Sequence, residues 1–208
     1  EEVGQTLSRM AVRDSVQQMA SSLTHSGDAS QYLQEAPSLA QEYQLDFLEI
    51  LQADGTIVSS AQWPARFGYK RSVPPSGQSE AFLKNEEVPD GTALGMIASR
   101  PVHTSEGSIF LVGGKKVDRS LIESMSVPPG MYVWLYRPTT SSDDASNIVG
   151  QTVAEPNTIL QLVKATKDGQ EKTGFVQVSK DANDRATTQA IPLKDETGNI
   201  AAVLLVGA

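Results

Sequence analysis

The first part of the chain repeats apolar residues at intervals of three and four positions. This spacing places the apolar side chains on one face, so the pattern predicts one long amphipathic helix over residues 3–24. Gly27 and Asp28 are typical of the end of such a helix. A second, shorter helix is predicted over residues 29–43. The apolar positions of the first helix are Val3, Leu7, Met10, Ala11, Val12, Val16, Met19, Ala20 and Leu23.

Two short apolar runs then flank an Asp-Gly pair. Residues 45–51 and 57–60 lie on either side of Asp54 and Gly55, which is the strongest short-range signal for a β-hairpin. Because tight hairpin turns favour a positive φ, we expect Gly55 to adopt one. The next stretch, residues 61–90, is predicted to be irregular and to contain a brief helix at 79–84.

The rest of the chain alternates predicted strands with two predicted helices and one polar loop. The loop covers residues 138–146. The expected strands are 92–102, 108–114, 131–137, 174–180, 186–194 and 200–206, and the expected helices are 115–125 and 157–166.

One phrase occurs twice along the chain. Residues 101–114 read PVHTSEGSIFLVGG and residues 192–207 read PLKDETGNIAAVLLVG. Each runs from a proline through a polar turn with glycine into an apolar strand, so we interpret each as the closing hairpin of an antiparallel sheet. The repeat predicts two modules, residues 1–127 and residues 128–208. A single sheet domain with a long insertion is the alternative.

Composition and charge narrow the function classes. The 208 residues are 39% hydrophobic and 20% charged, as in an ordinary globular protein. The net charge of −8 argues against a nucleic-acid or anionic-membrane partner, because both require a basic surface. The absence of cysteine excludes disulfides, zinc–thiolate sites and cysteine nucleophiles.

The sequence contains no recognisable catalytic motif. A nucleophile elbow, a His-Glu-x-x-His zinc motif and a phosphate-binding loop are all missing. The two histidines, His25 and His103, fall at a predicted helix end and in a predicted turn, and we interpret both as surface residues. Asp143 and Asp144 have no third acidic residue at calcium-binding spacing. We therefore expect no enzymatic activity, no metal and no cofactor.

Three stretches resemble the Cache family of extracytoplasmic sensor domains. They are residues 46–60 (DFLEILQADGTIVSS), 61–68 (AQWPARFG) and 111–118 (LVGGKKVD). The resemblance implies an α+β fold with a long N-terminal helix packed on two PAS-like antiparallel sheets. It also implies a periplasmic or extracellular location in a bacterial inner-membrane protein. The family's amino-acid-binding signature, an Arg-x-Trp-Tyr core with distal Tyr and Asp, is missing, which argues against an amino-acid ligand.

The two ends of the sequence agree with that implication. The chain begins with Glu-Glu and stops in the apolar run AAVLLVGA. Nowhere does it contain the roughly 20 apolar residues that cross a bilayer. We therefore expect an excised domain whose flanking membrane helices lie outside this sequence.

The resemblance places the ligand between the first sheet and the insert formed by residues 61–90. There, Arg66 is close in sequence to Trp63, Phe67 and Tyr69, a combination that suits an anionic or carboxylate-bearing ligand. Arg100 is expected to complete the site, as is Lys115. In the alternative interpretation, Trp63 and Phe67 cover the open sheet face while Arg66 pairs with a nearby carboxylate.

Two surfaces carry alternative interpretations of their own. The apolar positions of the first helix pack against the sheet or, along Val12, Val16, Met19 and Leu23, pair with a second chain in a homodimer. In the second module, Tyr132, Trp134 and Tyr136 share one face of a strand, and we expect them to form the core.

The function that fits these observations is signal sensing. We expect the ligand-binding, extracytoplasmic domain of a transmembrane sensor histidine kinase or of a similar receptor. The alternative is a periplasmic structural or protein-interaction module. A cavity with converging polar groups would favour the sensor, whereas a filled apolar interior in the first module would favour the alternative.

Overall fold

The chain forms two compact units, Glu1–Lys116 and Val117–Ala208. The computed structural model describes residues 2–26, 28–72, 79–138, 145–151, 153–181, 183–195 and 197–208. The predicted loop at 138–146, including Asp143 and Asp144, falls largely outside these residues, and Gly27 does as well. The predicted module boundary at residue 127 stays a prediction.

The first unit combines helices with an antiparallel sheet. Its helices are α1 (Glu2–Ala11), α2 (Asp14–Ser26) and α3 (Glu35–Glu42). Its strands are β1 (Phe47–Leu51), β2 (Ile57–Ser60), β3 (Ser79–Val88), β4 (Gly91–His103) and β5 (Ser108–Lys116). The strand order is β2-β1-β5-β4-β3, and every pair is antiparallel.

The two faces of the first sheet are occupied differently. Successive residues of a strand point to opposite faces, so Leu48 and Ile50 of β1 lie on one face and Phe47 and Leu51 on the other. Leu48 and Ile50 pack in one apolar cluster with α1, α2 and α3. Phe47 and Leu51 belong to a second cluster. We call the side that carries Leu48 the helix face, and the side that carries Phe47 the insert face.

The second unit repeats this sheet topology. Its helices are α4 (Arg119–Ser124) and α5 (Pro156–Ala165). Its strands are β6 (Tyr132–Tyr136), β7 (Ile148–Gly150), β8 (Lys172–Gln177), β9 (Arg185–Lys194) and β10 (Ile200–Gly207). The order β7-β6-β10-β9-β8 is the order of the first sheet shifted by five strands. Helix α5 occurs between β7 and β8, at the same point of the chain order as the insert between β2 and β3.

The repeated phrase forms the closing hairpin of each sheet. Residues 101–114 run from β4 into β5, and residues 192–207 run from β9 into β10. These hairpins belong to two separate sheets. The prediction of two antiparallel modules is therefore confirmed, and the alternative of a single sheet domain is wrong.

The predicted long helix over residues 3–24 is wrong in one respect, because it is two helices. After Ala11 the helical ladder is interrupted. The backbone N–H of Arg13 bonds to the carbonyl of Met10 at 3.1 Å, and the Gln17 side chain donates to the carbonyl of Ala11 at 2.7 Å. Arg13 also pairs with Glu42 on α3 at 2.5 Å. A side-chain amide thus replaces a backbone donor at the break.

Two other local predictions also need correction. The brief helix expected at 79–84 is the start of strand β3, which pairs with β4 and forms an edge of the sheet. The helix expected at 115–125 is shorter, because 115 and 116 extend β5 and Asp118 caps α4 by accepting a hydrogen bond from the Leu121 N–H at 3.2 Å. Strand β7 was not predicted.

The Asp-Gly hairpin is confirmed. Strands β1 and β2 pair antiparallel around it, and Gly55 has a φ of +82°. A Cβ at this position would lie 2.2 Å from the carbonyl oxygen of Arg71. Glycine is therefore required twice here, by the backbone angle and by the close approach of the insert.

Candidate functional site

The insert begins on the edge of the first sheet. The backbone N–H of Trp63 donates to the hydroxyl of Ser60, which is buried on β2, at 3.2 Å. Pro64–Arg66 then form one turn of 3₁₀ helix. The fixed φ of proline suits the first position of such a turn. The turn places the side chain of Arg66 back towards Trp63.

Arg66 connects the insert, which follows edge strand β2, to β3 at the other edge of the sheet. Its guanidinium lies 5.9 Å from the centroid of the Trp63 ring, and it pairs with Glu87 of β3 at 3.1 Å. The Arg66 side chain is only 16% exposed, whereas that of Glu87 is 62% exposed. The structure therefore brings Trp63 and Arg66 together, and it also contains the carboxylate partner of the alternative interpretation.

The other two aromatic residues of the insert face solvent. Phe67 is 46% exposed and Tyr69 is 64% exposed. Phe67 therefore does not cover the sheet face as the alternative interpretation expected. Tyr69 contributes through its backbone, since its carbonyl accepts a hydrogen bond from the Ile57 N–H at 2.8 Å. That bond attaches this part of the insert to β2, at the edge of the sheet.

Arg100 lies on the helix face, away from Arg66. Its guanidinium donates to the hydroxyl of Ser8 on α1 at 2.9 Å, to the carbonyl of Ser79 at 2.6 Å and to that of Ser99 at 2.8 Å. Gly4 allows this approach, because a Cβ there would lie 2.5 Å from an Arg100 nitrogen. Arg100 thus attaches α1 to β3 and β4.

A buried ion cluster that the sequence analysis missed occupies the insert face. One nitrogen of Arg71, Nη1, donates to Glu49 on β1 at 2.7 Å and to Glu86 on β3 at 2.8 Å. Its Nη2 donates to the other oxygen of Glu86 at 2.6 Å. Ser60 completes the cluster by donating to Glu49 at 3.2 Å.

The cluster buries two acidic side chains and one basic side chain. The side chains of Glu49, Glu86 and Arg71 are 0%, 3% and 8% exposed. Burial by itself lowers the pKa of Arg71, but the hydrogen bonds and charges of Glu86 and Glu49 outweigh it and raise that pKa above its ordinary value. The guanidinium therefore stays charged and holds both carboxylates over the sheet.

A polar cleft opens beside the cluster. Its volume is about 260 Å³. Of the eight described residues that line it, four are cationic and two are anionic, so these lining residues sum to a positive charge although the chain carries −8. The lining residues are Arg66, Lys70, Arg71, Ser72, Lys84, Asn85, Glu86 and Glu87. Guanidinium and ammonium groups around a small cleft suit a carboxylate or another anion.

Lys70 ties the rim of the cleft to the hairpin turn. Its ammonium group lies 2.8 Å from Asp54. Hydrogen bonds from Lys70, and then from the side chain and backbone of Thr56, hold the pKa of Asp54 well below its ordinary value of 3.8. Both side chains of the ion pair are exposed, so salt screens this contact.

The N-terminal helices use their apolar residues inside the first module. Val16, Met19 and Leu23 are buried in the cluster on the helix face, and Val12 is 74% exposed. This arrangement is the sheet-packing alternative of the sequence analysis. The four residues therefore do not form a free seam, and a homodimer through α1 and α2 would need their polar side.

The second module has an aromatic core at the corresponding place. Trp134 and Tyr136 are buried, as expected. Tyr132 stacks on Trp134 with ring centroids 5.5 Å apart and planes 2° apart. The indole N–H of Trp134 donates to the carbonyl of Gln151 at 2.9 Å.

The two histidines form surface contacts. His25 lies 3.1 Å from Glu106, and His103 lies 2.8 Å from the hydroxyl of Ser108. Both contacts are exposed. Across the residues with described coordinates, no group of three acidic or histidine side chains is placed to hold a metal ion. Within the same ranges, no helix has the length and apolar character needed to cross a membrane.

Comparisons with known proteins decide the fold. No protein-family model matches the chain, and no curated protein sequence does. The sensor domain of the histidine kinase DctB from Vibrio cholerae superposes with a TM-score of 0.56 at 12% identity, over 100% of this chain and 88% of that domain. The periplasmic domain of LuxQ from Vibrio cholerae gives 0.53 at 12% identity, over 100% of this chain and 91% of that domain.

The chain has a double Cache-like fold. Both neighbours are similar over the whole of this chain, so the likeness includes both antiparallel modules and the helices before the first sheet. The family resemblance of the sequence is thereby confirmed at the level of fold. At 12% identity the likeness extends to architecture and not to individual ligand-binding residues.

Proposed function

We propose that this chain is the extracytoplasmic, ligand-sensing domain of a transmembrane sensor histidine kinase or of a similar receptor. The observation that carries the proposal is the net positive cleft beside the insert face of the first module, in a fold shared with such domains. The domain itself is non-catalytic, and it lies in the periplasm or outside the cell between two membrane helices of the full protein.

The ligand is a small anionic or carboxylate-bearing molecule bound through Arg66. Because Glu87 is mostly exposed, its pairing with Arg66 is weak and a ligand carboxylate can replace it. Arg66 already lies over the Trp63 ring, so a ligand there meets a cation whose position is fixed. Tyr69 and Arg100 stay candidate ligand contacts from the sequence, and a bound ligand would have to reach them by a local rearrangement.

Strand β3 offers a route for the signal to α1. Glu86 and Glu87 of this strand line the cleft. At the other end of the strand, Ser79 accepts a hydrogen bond from Arg100, and Arg100 also bonds to Ser8 on α1. A ligand that displaces Glu87 would act on β3 and, through Arg100, on the helix that leads from the membrane. A ligand changes this equilibrium only by the difference in its affinity for the two arrangements.

A thermal-shift screen tests the proposal. The probes are acetate, succinate, citrate, glutamate and inorganic phosphate, each with wild type and with Arg66→Ala. Loss of a charged hydrogen bond typically weakens binding by about 1.5–3 kcal/mol, or about ten- to a hundredfold. We therefore expect the stabilisation by an active probe to disappear in Arg66→Ala. Arg119→Ala is the matched control, since Arg119 lies in α4 and pairs with exposed Glu123.

The alternative function makes a different prediction for the same screen. In the protein-interaction module, Arg71, Glu49 and Glu86 serve only to join the insert to the sheet, and they already satisfy one another. No anionic probe would then stabilise wild type. Stabilisation that survives Arg66→Ala unchanged would contradict the site, while retaining a sensor function.

A further inference from the structure

The second module contains an apolar cavity between α5 and its sheet. The volume of the cavity is about 140 Å³. Leu160 and Val163 line it from the helix, and Tyr136 and Val203 line it from β6 and β10. Three of these four side chains belong to the buried core, and Leu160 packs against it. The cavity therefore opens into the interior of the module.

The cavity is apolar in its depth and cationic at its mouth. Two of its lining residues, Thr166 and Tyr136, carry hydroxyl groups, and the hydroxyl of Thr166 donates to the carbonyl of Val163 at 2.7 Å. Lys164 and Lys167 border the opening with exposed side chains. The part of a ligand that enters the cavity is therefore transferred from water to an apolar environment. A group that stays at the opening lies near the ammonium groups of Lys164 and Lys167.

The size of the cavity sets the size of its occupant. Protein interiors contain few voids larger than a water molecule, and the side chains around a void lose dispersion contacts. A dry cavity of about 150 Å³ lined by aliphatic and aromatic side chains binds benzene. The space beside α5 has nearly this volume and is partly open to solvent, so a single ring or a branched chain of similar size can occupy its apolar part.

We propose that the second module binds a small apolar carboxylate, with its hydrocarbon part between Leu160, Val163 and Val203 and its carboxylate beside Lys164. This site is separate from the cleft of the first module, whose lining is mostly charged. The two sites select for different properties, since the first needs charge and the second needs hydrocarbon of limited size. They can therefore be tested independently.

Benzoate is the probe for this site, and methyl NMR of the intact chain is the measurement. We expect saturable shifts in the methyl signals of Leu160, Val163 and Val203. Acetate has the charge without the ring and should leave these signals unchanged. Benzyl alcohol has the ring without the charge and should bind about two- to fivefold more weakly, since an exposed ion pair contributes no more than this.

Matched substitutions locate the binding. Leu160→Trp fills the cavity and should abolish the benzoate shifts, whereas Leu121→Trp, the same change at a half-buried leucine of α4, should preserve them. Val163→Leu is the milder variant if Leu160→Trp does not fold, and it should weaken benzoate at least threefold. Lys164→Gln should weaken benzoate about two- to fivefold and leave benzyl alcohol unchanged, with Lys180→Gln as the control.

Three results would overturn the proposal. The first is the absence of saturable shifts with benzoate. The second is a set of shifts confined to other methyl groups. The third is benzoate affinity that is unchanged in the folded Leu160→Trp or Val163→Leu protein. Arg66→Ala, in the first module, should leave the benzoate shifts of Leu160, Val163 and Val203 as they are in wild type, so a failure here is distinguishable from a failure of the anion site.

Discussion

The middle residue of the first strand is a glutamate in one sheet and a tryptophan in the other. Both sheets have the same strand order, and β1 and β6 hold equivalent places in it. Glu49 is the third residue of β1 and Trp134 is the third residue of β6, and both are fully buried. Glu49 meets a guanidinium from the insert, whereas Trp134 packs with α5.

The two modules share a strand order but differ in the side chains at equivalent positions. The shared topology places a strand centre under the segment that follows the second strand in each module. The side chain at that centre differs between the modules, since Glu49 pairs with Arg71 and Trp134 belongs to the apolar cluster that includes α5. The first module has a polar cleft beside Arg71, and the second has an apolar cavity beside α5. One architecture thus offers two sites of different chemistry.

The largest expected effect comes from removing the cation of the ionic module. Arg71→Met leaves Glu49 and Glu86 buried without their counter-charge, which should lower the free energy of unfolding by about 3–5 kcal/mol. Urea denaturation followed by circular dichroism measures this loss. Glu87→Gln, at an exposed carboxylate, should cost less than about 1 kcal/mol.

A triple variant serves as the internal check on that result. Glu49→Leu with Arg71→Met and Glu86→Leu converts the cluster to the apolar type found around Trp134. Because a buried ion pair often contributes no more than well-packed hydrocarbon, the triple variant should recover most of the lost stability. A triple variant less stable than Arg71→Met alone would contradict the claim that apolar side chains can replace the ion cluster.

The turn that positions Arg71 should show the next largest effect. Gly55→Val imposes a side chain at positive φ and against the Arg71 carbonyl, so we expect a loss of about 1–3 kcal/mol. Gly68→Val has nearly the same φ, +81°, but nothing within 4 Å of its Cβ, so it isolates the cost of the backbone angle. Thermal unfolding of both variants gives the difference. Equal losses would show that the close approach to Arg71 contributes nothing.

The aromatic module should respond to the loss of one hydrogen bond. Trp134→Phe keeps a ring in the core but removes the indole donor to the Gln151 carbonyl. We expect a loss of about 1–2 kcal/mol in urea denaturation. Tyr132→Phe keeps the ring that stacks on Trp134 and should change stability less. A larger loss for Tyr132→Phe would contradict the claim that the hydrogen bond from Trp134 to Gln151 stabilises this core.

The smallest effect is a pH dependence at the rim of the cleft. Asp54 has a folded-state pKa below its ordinary value of 3.8, so its ion pair stabilises the fold above about pH 4 and loses this effect as pH falls towards the folded-state pKa. Wild type should exceed Lys70→Gln in melting temperature at pH 6, and the difference should shrink below pH 4. A difference that stays constant from pH 6 to pH 2, at low salt, would contradict the assignment.

The sequence predicted the two sheets because their signals are local. Alternating strands, the Asp-Gly turn and the repeated closing phrase depend on neighbours along the chain. Strand β3 was missed because it is a half-exposed edge strand with a weak alternation, burying only Leu83 and Glu86. The break after Ala11 was missed because it depends on a side-chain hydrogen bond and on an ion pair with α3.

The candidate site was predicted less completely, for a different reason. Trp63 and Arg66 are neighbours in sequence and do lie together. The Arg71 cluster joins residues 22 and 15 positions apart, which no periodic pattern links. The available signal was Glu49 itself, a charged residue in the middle of an otherwise apolar strand. Such a residue needs a partner when it is buried.

The anion site of the first module can be tested by mapping where anionic probes bind on the intact, ¹⁵N-labelled chain. Amide shifts are recorded during titration with acetate, succinate, citrate, glutamate and phosphate. We expect saturable shifts clustered at residues 66–72 and 84–87 for at least one probe, and their loss in Arg66→Ala. Shifts confined to other residues, or no saturable shift with any of the five probes, would contradict the claim that the first module senses an anion.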